Sequence, residues 1–306
     1  MANRFYVKVA IILNGLSGKK RLFYSRLLPA INEVAEAQVF ETQSATDAFN
    51  FSVKAVSQNF DVVIAAGGDG TINQVVNGML QSGFPPEKLP ALSILPVGSG
   101  NDLARTVNID LKADALKKRL IQKNIKPIDI GSVTFQRHGN ECHAYFINVC
   151  SAGMGPEVLN YMRSGGKTLG AAIAYYIAIL TTFSTYKCMP VTIKTAGWQW
   201  KDSLRSLAMG NGKYFGSGLC IAPDAKPDDG EFGTFICGAV SVLDFVRYTN
   251  TLKTGGKISN PKIEYRSANA LELTSESPCR IEADGELLGF LPARVEVIPQ
   301  RINFLY

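Results

Sequence analysis

The chain has 306 residues, a net charge of +6, 46% hydrophobic residues and 19% charged residues. This excludes a disordered chain, and the length argues for two domains, since single cores stop growing at roughly 250–300 residues. Two histidines and six cysteines with no C-x-x-C pair exclude zinc sites built on that spacing.

Cys142, Cys150, Cys188, Cys220, Cys237 and Cys279 lie mostly in apolar runs such as FINVC and TFICG, as expected of buried thiols in a reducing cytosol. The start MANRFYVKVAIILNG has no small-residue cleavage site and is not read as a signal peptide. The excess positive charge suits phosphate-bearing partners without choosing between nucleotides, nucleic acids and anionic bilayers.

In chain order, Tyr6–Leu13 reads as a buried strand, NGLSGKK as a polar turn, and Leu22, Leu27, Leu28, Ile31 and Val34 as one helix face. A short strand is expected over Val39–Thr42. A helix follows through Ala45, Ala48, Phe49, Ser52, Val53 and Val56, and a buried strand over Asp61–Ala66. Ile72, Val75, Val76, Met79 and Leu80 give a helix with one buried face. Leu92–Pro96 is the next strand, Asn101 or Asp102 can cap a helix, and Lys112–Asn124 is basic and amphipathic. Such alternation predicts a doubly wound α/β domain with a parallel sheet.

From Pro127 strands dominate: Ile128–Phe135, His143–Val149, Met189–Thr195, Leu204–Met209, Glu231–Cys237, Ile263–Thr274, Pro278–Ala283 and Arg294–Ile298. Helices are expected at Glu157–Met162, Leu169–Phe183 and Val242–Leu252. This predicts an antiparallel β-sandwich domain. Leu169–Phe183 is uncharged but short of the ~20 residues a membrane span needs, and is read as a buried helix.

Three glycine-rich turns follow strands. Gly67–Thr71 (GGDGT) opens an amphipathic helix, where close backbone approach, N–H groups and the helix dipole suit phosphate. Asp69 among phosphates makes sense with a bridging divalent cation, Mg²⁺; the plainer reading is an N-capping aspartate. Leu95–Asp102 (LPVGSGND) repeats the arrangement, and Asn14–Lys19 (NGLSGK) adds backbone donors and a lysine. Gly165–Thr168 lacks the first glycine of a P-loop, Gly68–Asn73 lacks the third of a dinucleotide fingerprint, and no G-x-S-x-G occurs. His138 and His143 read as solvated or structural. Asp224–Phe232 (DAKPDDGEF) and Ile281–Gly289 (IEADGELLG) read by composition as hairpin turns.

Taken in order, GGDGTINQVVNG, LPVGSGNDLAR, APDAKPDDGEF and EADGELLG resemble the diacylglycerol kinase catalytic-domain family, in its bacterial soluble lipid kinase branch, with sphingosine and ceramide kinases as relatives. The resemblance covers nearly the whole chain. GGDGT is shared with NAD kinases and phosphofructokinases; GSGND and DGE mark the lipid branch. It implies a nucleotide domain at 1–129, a β-rich substrate domain at 130–292, and a segment 293–306 returning to the first domain.

The resemblance further implies ATP and Mg²⁺ as cofactors. Asn14, Gly15, Leu16, Ser17, Gly18, Thr42, Gly67, Gly68, Asp69, Gly70, Thr71, Ile72, Asn73 and Ser99 would line the ATP site. Asp69 would act through a Mg²⁺–phosphate network and Glu286 as general base. Asp229, with backbone carbonyls at Lys226 and Glu231, would hold a second, structural Mg²⁺. The implied function is a cytoplasmic lipid kinase at the inner face of the membrane, touching a membrane lipid substrate and no nucleic acid, with an oligomer allowed. Gly15 stands where the family usually has proline, Gln74 where glutamate is common, and Ser99 where threonine is frequent. The alternatives are a soluble small-molecule kinase of the NAD-kinase type, which would turn over without vesicles, and a non-catalytic nucleotide-binding regulator, which retention of Asp69 and Glu286 argues against.

Overall fold

The structure is a computed structural model that describes residues 7–163 and 171–306. The Gly165–Thr168 sequence, and with it Lys167 and the start of the Leu169–Phe183 stretch, lies outside the described residues. The chain divides into two units, residues 1–128 with 300–306, and residues 129–299.

The first unit is a parallel sheet between helices. β1 (Val7–Asn14), β2 (Ala35–Thr42), β3 (Val62–Gly67) and β4 (Ala91–Pro96) lie in the order β2-β1-β3-β4. The last part of β17 (Glu286–Leu305) joins beside β4, with Phe304 opposite Leu92. β3 and β4 are buried along their whole length, because both faces of a parallel sheet are covered. On one face Val9, Ile11, Leu13 and Ile64 pack against Phe23, Leu27, Ile31, Leu116 and Leu120. The first three of these come from a helical run composed of α1 (Lys20–Leu22), a π-turn at Phe23–Leu27 and α2 (Leu28–Asn32). The last two come from α6 (Ala113–Gln122). α3 (Asp47–Ser57) packs on β1 and α4 (Asp69–Leu80) on β3, and α5 is the single turn Asp102–Thr106.

The second unit is built from antiparallel pairs. Its strands are β5 (Ile125–Arg137), β6 (Asn140–Phe146), β7 (Val149–Gly153), β8 (Met189–Lys194), β9 (Gln199–Leu204), β10 (Ser206–Gly210), β11 (Tyr214–Phe215), β12 (Leu219–Cys220), β13 (Phe232–Cys237), β14 (Ile263–Ala268), β15 (Ala270–Ser275) and β16 (Arg280–Ala283). One layer runs β14-β13-β10-β7-β16 and ends on Glu286–Phe290 of β17. Farther along, Ala293–Glu296 of β17 pair with β15, which pairs with β8 and then β9. Val191, Leu204, Leu207, Phe232, Leu271, Ile281 and Val295 meet in the core between the layers. Helices α7 (Met154–Arg163), α8 (Ala171–Thr185) and α9 (Val242–Thr254) carry a second apolar cluster with Val149, Ala208 and Phe235.

Several expected elements change. Ile263–Thr274 is two strands, β14 and β15, interrupted at Asn269. His143–Val149 is divided between β6 and β7, and Leu204–Met209 between β9 and β10. The first helix is not continuous α, and β2 extends back to Ala35. α8 buries Ala178, Ile179 and Phe183 but leaves Ile177 exposed, so it is one-sided rather than enclosed. Among the described residues no helix is long and apolar enough to cross a membrane. All six cysteines are free thiols.

Candidate active site

In the first unit the three glycine turns follow β1, β3 and β4, and β3 lies between β1 and β4, so the sheet brings the turns together. The Gly98 amide donates to the Gly67 carbonyl (3.2 Å), and a Cβ on Gly98 would stand 2.3 Å from Gly68 Cα. Only glycine permits that approach. Ser17 Oγ donates to the Val97 carbonyl (2.7 Å), and Asn14 Nδ2 to Thr71 Oγ1 (3.4 Å). Lys19 Nζ donates to the carbonyls of Pro96 (3.3 Å) and Gly98 (3.4 Å), which places its charge at the cradle.

Thr42 belongs to this constellation through Gly15, whose N–H donates to Thr42 Oγ1 (3.2 Å). Proline at 15 would have no such donor, so the departure from the family pattern supplies a tie between the loop and β2. Leu16, at 93% exposure, presents its side chain to solvent, and Ser99 is exposed. Ile72 and Asn73 are buried in α4. Ile72 can offer a ligand only backbone, and its N–H already donates to the Gly68 carbonyl (3.1 Å).

Asp69 is the first residue of α4, with Gly68 as its cap. Its carboxylate accepts from the amides of Asp102 (3.3 Å) and Leu103 (3.2 Å), the opening N–H groups of α5. Asp69 therefore caps the helix of the neighbouring loop, a role absent from the sequence reading because its donors lie 33 and 34 residues away. Asn101, not Asp102, is the cap residue of α5; it adopts φ 57° and donates to the Gly98 carbonyl (2.9 Å). Among the described residues its buried Oδ1 has no partner, which leaves it available to a donor.

In the second unit Asp284 and Gly285 form a two-residue hairpin turn, with φ 48° and 86° and Ala283 paired to Glu286. The D-G signal thus reads correctly as a turn, and Glu286 stands at its exit. Its side chain is 44% exposed and pairs with Arg163 at 2.8 Å; Arg163 also donates to the Gly285 carbonyl (3.1 Å). Behind the turn, the buried Asp284 carboxylate accepts from the amides of Ile147 (2.8 Å), Asn148 (3.0 Å) and Val149 (2.9 Å). Glu282 is fully buried: Ser151 Oγ lies 2.5 Å from Oε1, and Gly285 N–H donates to Oε2 (2.9 Å). Burial first, then the neighbouring Asp284 and Glu286, push its carboxyl up to about 8 against the opposing Ser151 and Gly285 bonds. Sequence reasoning missed Arg163, Asp284 as an anchor, and Glu282.

The Lys226–Glu231 segment is a loop leading into β13, not a hairpin. The Asp129 amide donates to the Pro227 carbonyl and Gly230 N–H to Asp129 Oδ2, each at 2.7 Å. Partial burial, with Asp129 and Glu231 nearby, holds the Asp229 carboxyl above its ordinary value. Among the described residues no three His, Cys, Asp or Glu side chains converge as a metal cage. His143 is bonded to Ser132 Oγ (2.7 Å) and His138 occupies a turn, both structural positions.

The diacylglycerol kinase catalytic domain profile matches residues 8–133, and the YegS C-terminal NAD kinase beta sandwich-like domain profile matches residues 148–306. The chain is 30% identical to a Bacillus subtilis (strain 168) protein named diacylglycerol kinase, over 93% of this chain and 91% of that one. It is 29% identical to a diacylglycerol kinase of Staphylococcus carnosus (strain TM300), over 97% and 94% respectively. A crystal structure of a diacylglycerol kinase from Bacillus anthracis str. Sterne superposes with a TM-score of 0.76 at 22% identity, covering 99% of this chain and 97% of that one, a likeness of fold.

Proposed function

Because the chain belongs to the diacylglycerol kinase catalytic-domain family, we propose that it phosphorylates the hydroxyl of diacylglycerol or a related membrane lipid, using Mg²⁺. The chain is an ATP-dependent phosphotransferase acting on an alcohol group. The observation that supports a lipid is a cavity of about 90 Å³ in the second unit, lined by apolar side chains including Met154, Val158, Ile179, Phe183, Phe235 and Leu252. Its apolar lining suits an acyl segment rather than a charged acceptor. Arg163, which holds Glu286, lies on α7 with Met154 and Val158.

We assign nucleotide binding to residues 1–129 and acceptor binding to 130–292, with the ATP site lined as the resemblance implies. The amides of Gly68–Gly70 and of Ser99 receive the phosphates, with Lys19 adding charge. A single carboxylate at Asp69 fits Mg²⁺, which rests on one or two carboxylates with phosphate oxygens and water, and does not fit an all-protein cage. Bound there, Mg²⁺ supplies charge neutralisation along the phosphates. Asp229, with the carbonyls of Lys226 and Glu231, is the proposed holder of a second ion. The lipid oxygen bonds to the γ-phosphorus as the β–γ bridging bond breaks, ADP leaves, and Glu286 accepts the hydroxyl proton. Lipid access requires peripheral contact with the cytoplasmic face of a bilayer, which the basic balance favours at low salt.

The test is incubation with labelled ATP and a panel of lipids in mixed micelles, followed by separation of products. A labelled phospholipid product is expected; turnover of soluble alcohols without micelles would support the NAD-kinase-type reading instead. Asp69→Asn isolates the metal–phosphate role, because asparagine keeps an acceptor for the α5 amides while removing the charge. Melting should stay near wild type, since a cap is worth about 1 kcal/mol even when lost, and kinase activity should largely disappear. Near-wild-type turnover at saturating Mg²⁺ would remove Asp69 from the chemistry.

A further inference from the structure

The carboxyl group of Glu282 has no task in the phosphoryl transfer described above, yet it is the most deeply enclosed acid of the second unit's hairpin. It is 0% exposed and has no ion-pair partner among the described residues. One oxygen accepts the N–H of Gly285, the residue that precedes Glu286, and the other is 2.5 Å from Ser151 Oγ on β7. β7 is also the strand whose Val149 amide is held by Asp284. Beyond the β16–β7 backbone ladder, two side chains therefore fasten the turn to β7, Asp284 on one side and Glu282 on the other.

We propose that Glu282 is a positioning residue: as a neutral acid hydrogen-bonded to Ser151 it holds the Asp284–Gly285 turn from beneath and fixes where the Glu286 carboxylate stands. This rests on the reading of Glu286 as the proton acceptor. With Oε2 occupied by Gly285 N–H, the acid proton belongs on Oε1, directed at Ser151 Oγ. The groups facing it give no counter-charge. β7 contributes Ser151 and the buried Cys150 thiol, itself pushed up by burial and then by Glu282 and Asp284. The turn and β17 contribute Asp284 and Glu286. On α7, Arg163 is engaged by Glu286 and Glu157 by Arg280. Ionised, Glu282 could still accept from Ser151 and Gly285, but a third carboxylate would then stand in one hairpin turn, its buried charge facing its like and relieved only when the turn opens to solvent. The raised carboxyl places that event near pH 8: the neutral, fastened form prevails below it and is lost as pH rises through it.

Glu282→Gln keeps the shape and both hydrogen bonds but cannot ionise; Glu282→Ala removes the fastening. Wild-type turnover is expected to fall on the alkaline side around pH 8, and the glutamine variant to match it at pH 7 without that fall. The alanine variant should lose roughly 10–100-fold in kcat at every pH, the scale of a small misplacement, with the KM for ATP unchanged. Hydrogen exchange at the Gly285 amide, normalised for intrinsic rate, reads the fastening without catalysis: protection should fall in wild type as pH rises from the free carboxyl's 4.5 to about 8 and level off beyond, and should stay flat in Glu282→Gln. Identical exchange and pH profiles in wild type and Glu282→Gln would overturn the inference. If Glu286→Gln stays active, the base reading fails by itself, and the Gly285 exchange still decides whether Glu282 fastens the turn.

Discussion

Glu286→Gln should lower lipid-dependent turnover by roughly 10²–10⁴-fold, the usual contribution of general acid–base catalysis, while ATP binding stays unchanged. Glutamine preserves length and can still accept from Arg163, which now bonds Glu286 at 2.8 Å, so the turn should keep its shape. What disappears is the proton acceptor. The glycine turns and Lys19 belong to the first unit, so the substitution removes nothing from the proposed nucleotide cradle. Measuring turnover in mixed micelles and ATP affinity by titration on the same preparation separates the alternatives. Wild-type turnover would reduce Glu286 to a solvated turn residue and leave the reaction without an identified base.

Asp284→Ala should be the most damaging single change to the second unit, costing about 3–5 kcal/mol. The carboxylate satisfies three backbone amides at 2.8–3.0 Å, all buried, where the chain passes from β6 into β7. Each stranded donor costs about 1–3 kcal/mol, and the methyl group offers none of them an acceptor. Asp284→Asn should lose less, because the amide oxygen retains part of the set. Urea unfolding followed by fluorescence checks both. A loss under about 1 kcal/mol for alanine, the scale of an ordinary single hydrogen bond, would mean that water replaces the carboxylate and that the anchor is dispensable.

The sequence made the first unit legible because its signals are local. Apolar positions at 72, 75, 76, 79 and 80 and the glycines before them locate α4 and the end of β3 within a residue or two. In the second unit the decisive partners are far apart. Nothing near residues 147–149 announces a strand break there; its cause, Asp284, is 135–137 residues downstream. Glu282 looks like a solvent-facing member of an alternating strand, and is buried because Ser151, 131 residues away, meets it. The π-turn at Phe23–Leu27 leaves no periodic signature either, since Leu22, Leu27, Leu28 and Ile31 fit an unbroken helix nearly as well. At the candidate site, the glycine turns and the D-G hairpin were readable as motifs, whereas the capping of α5 by Asp69 and the hold of Arg163 on Glu286 exist only once the chain is folded.

The first unit's sheet includes residues 300–306, with Ile302, Phe304 and Leu305 almost wholly buried, Ser93 Oγ donating to the Leu305 carbonyl (3.0 Å) and the Tyr306 amide donating to the Asn124 carbonyl (3.0 Å). During synthesis, therefore, the glycine turns emerge early on a sheet that still has an open edge at β4. That edge stays unpaired while the intervening residues 129–299 are made and fold. An exposed apolar edge is a place where another strand can add, so the nascent chain needs its edge guarded until the closing strand arrives. The sheet beneath the proposed nucleotide cradle is consequently closed only after residues 129–299 have been made, so the glycine turns wait on the far end of the chain for the rigid base they stand on.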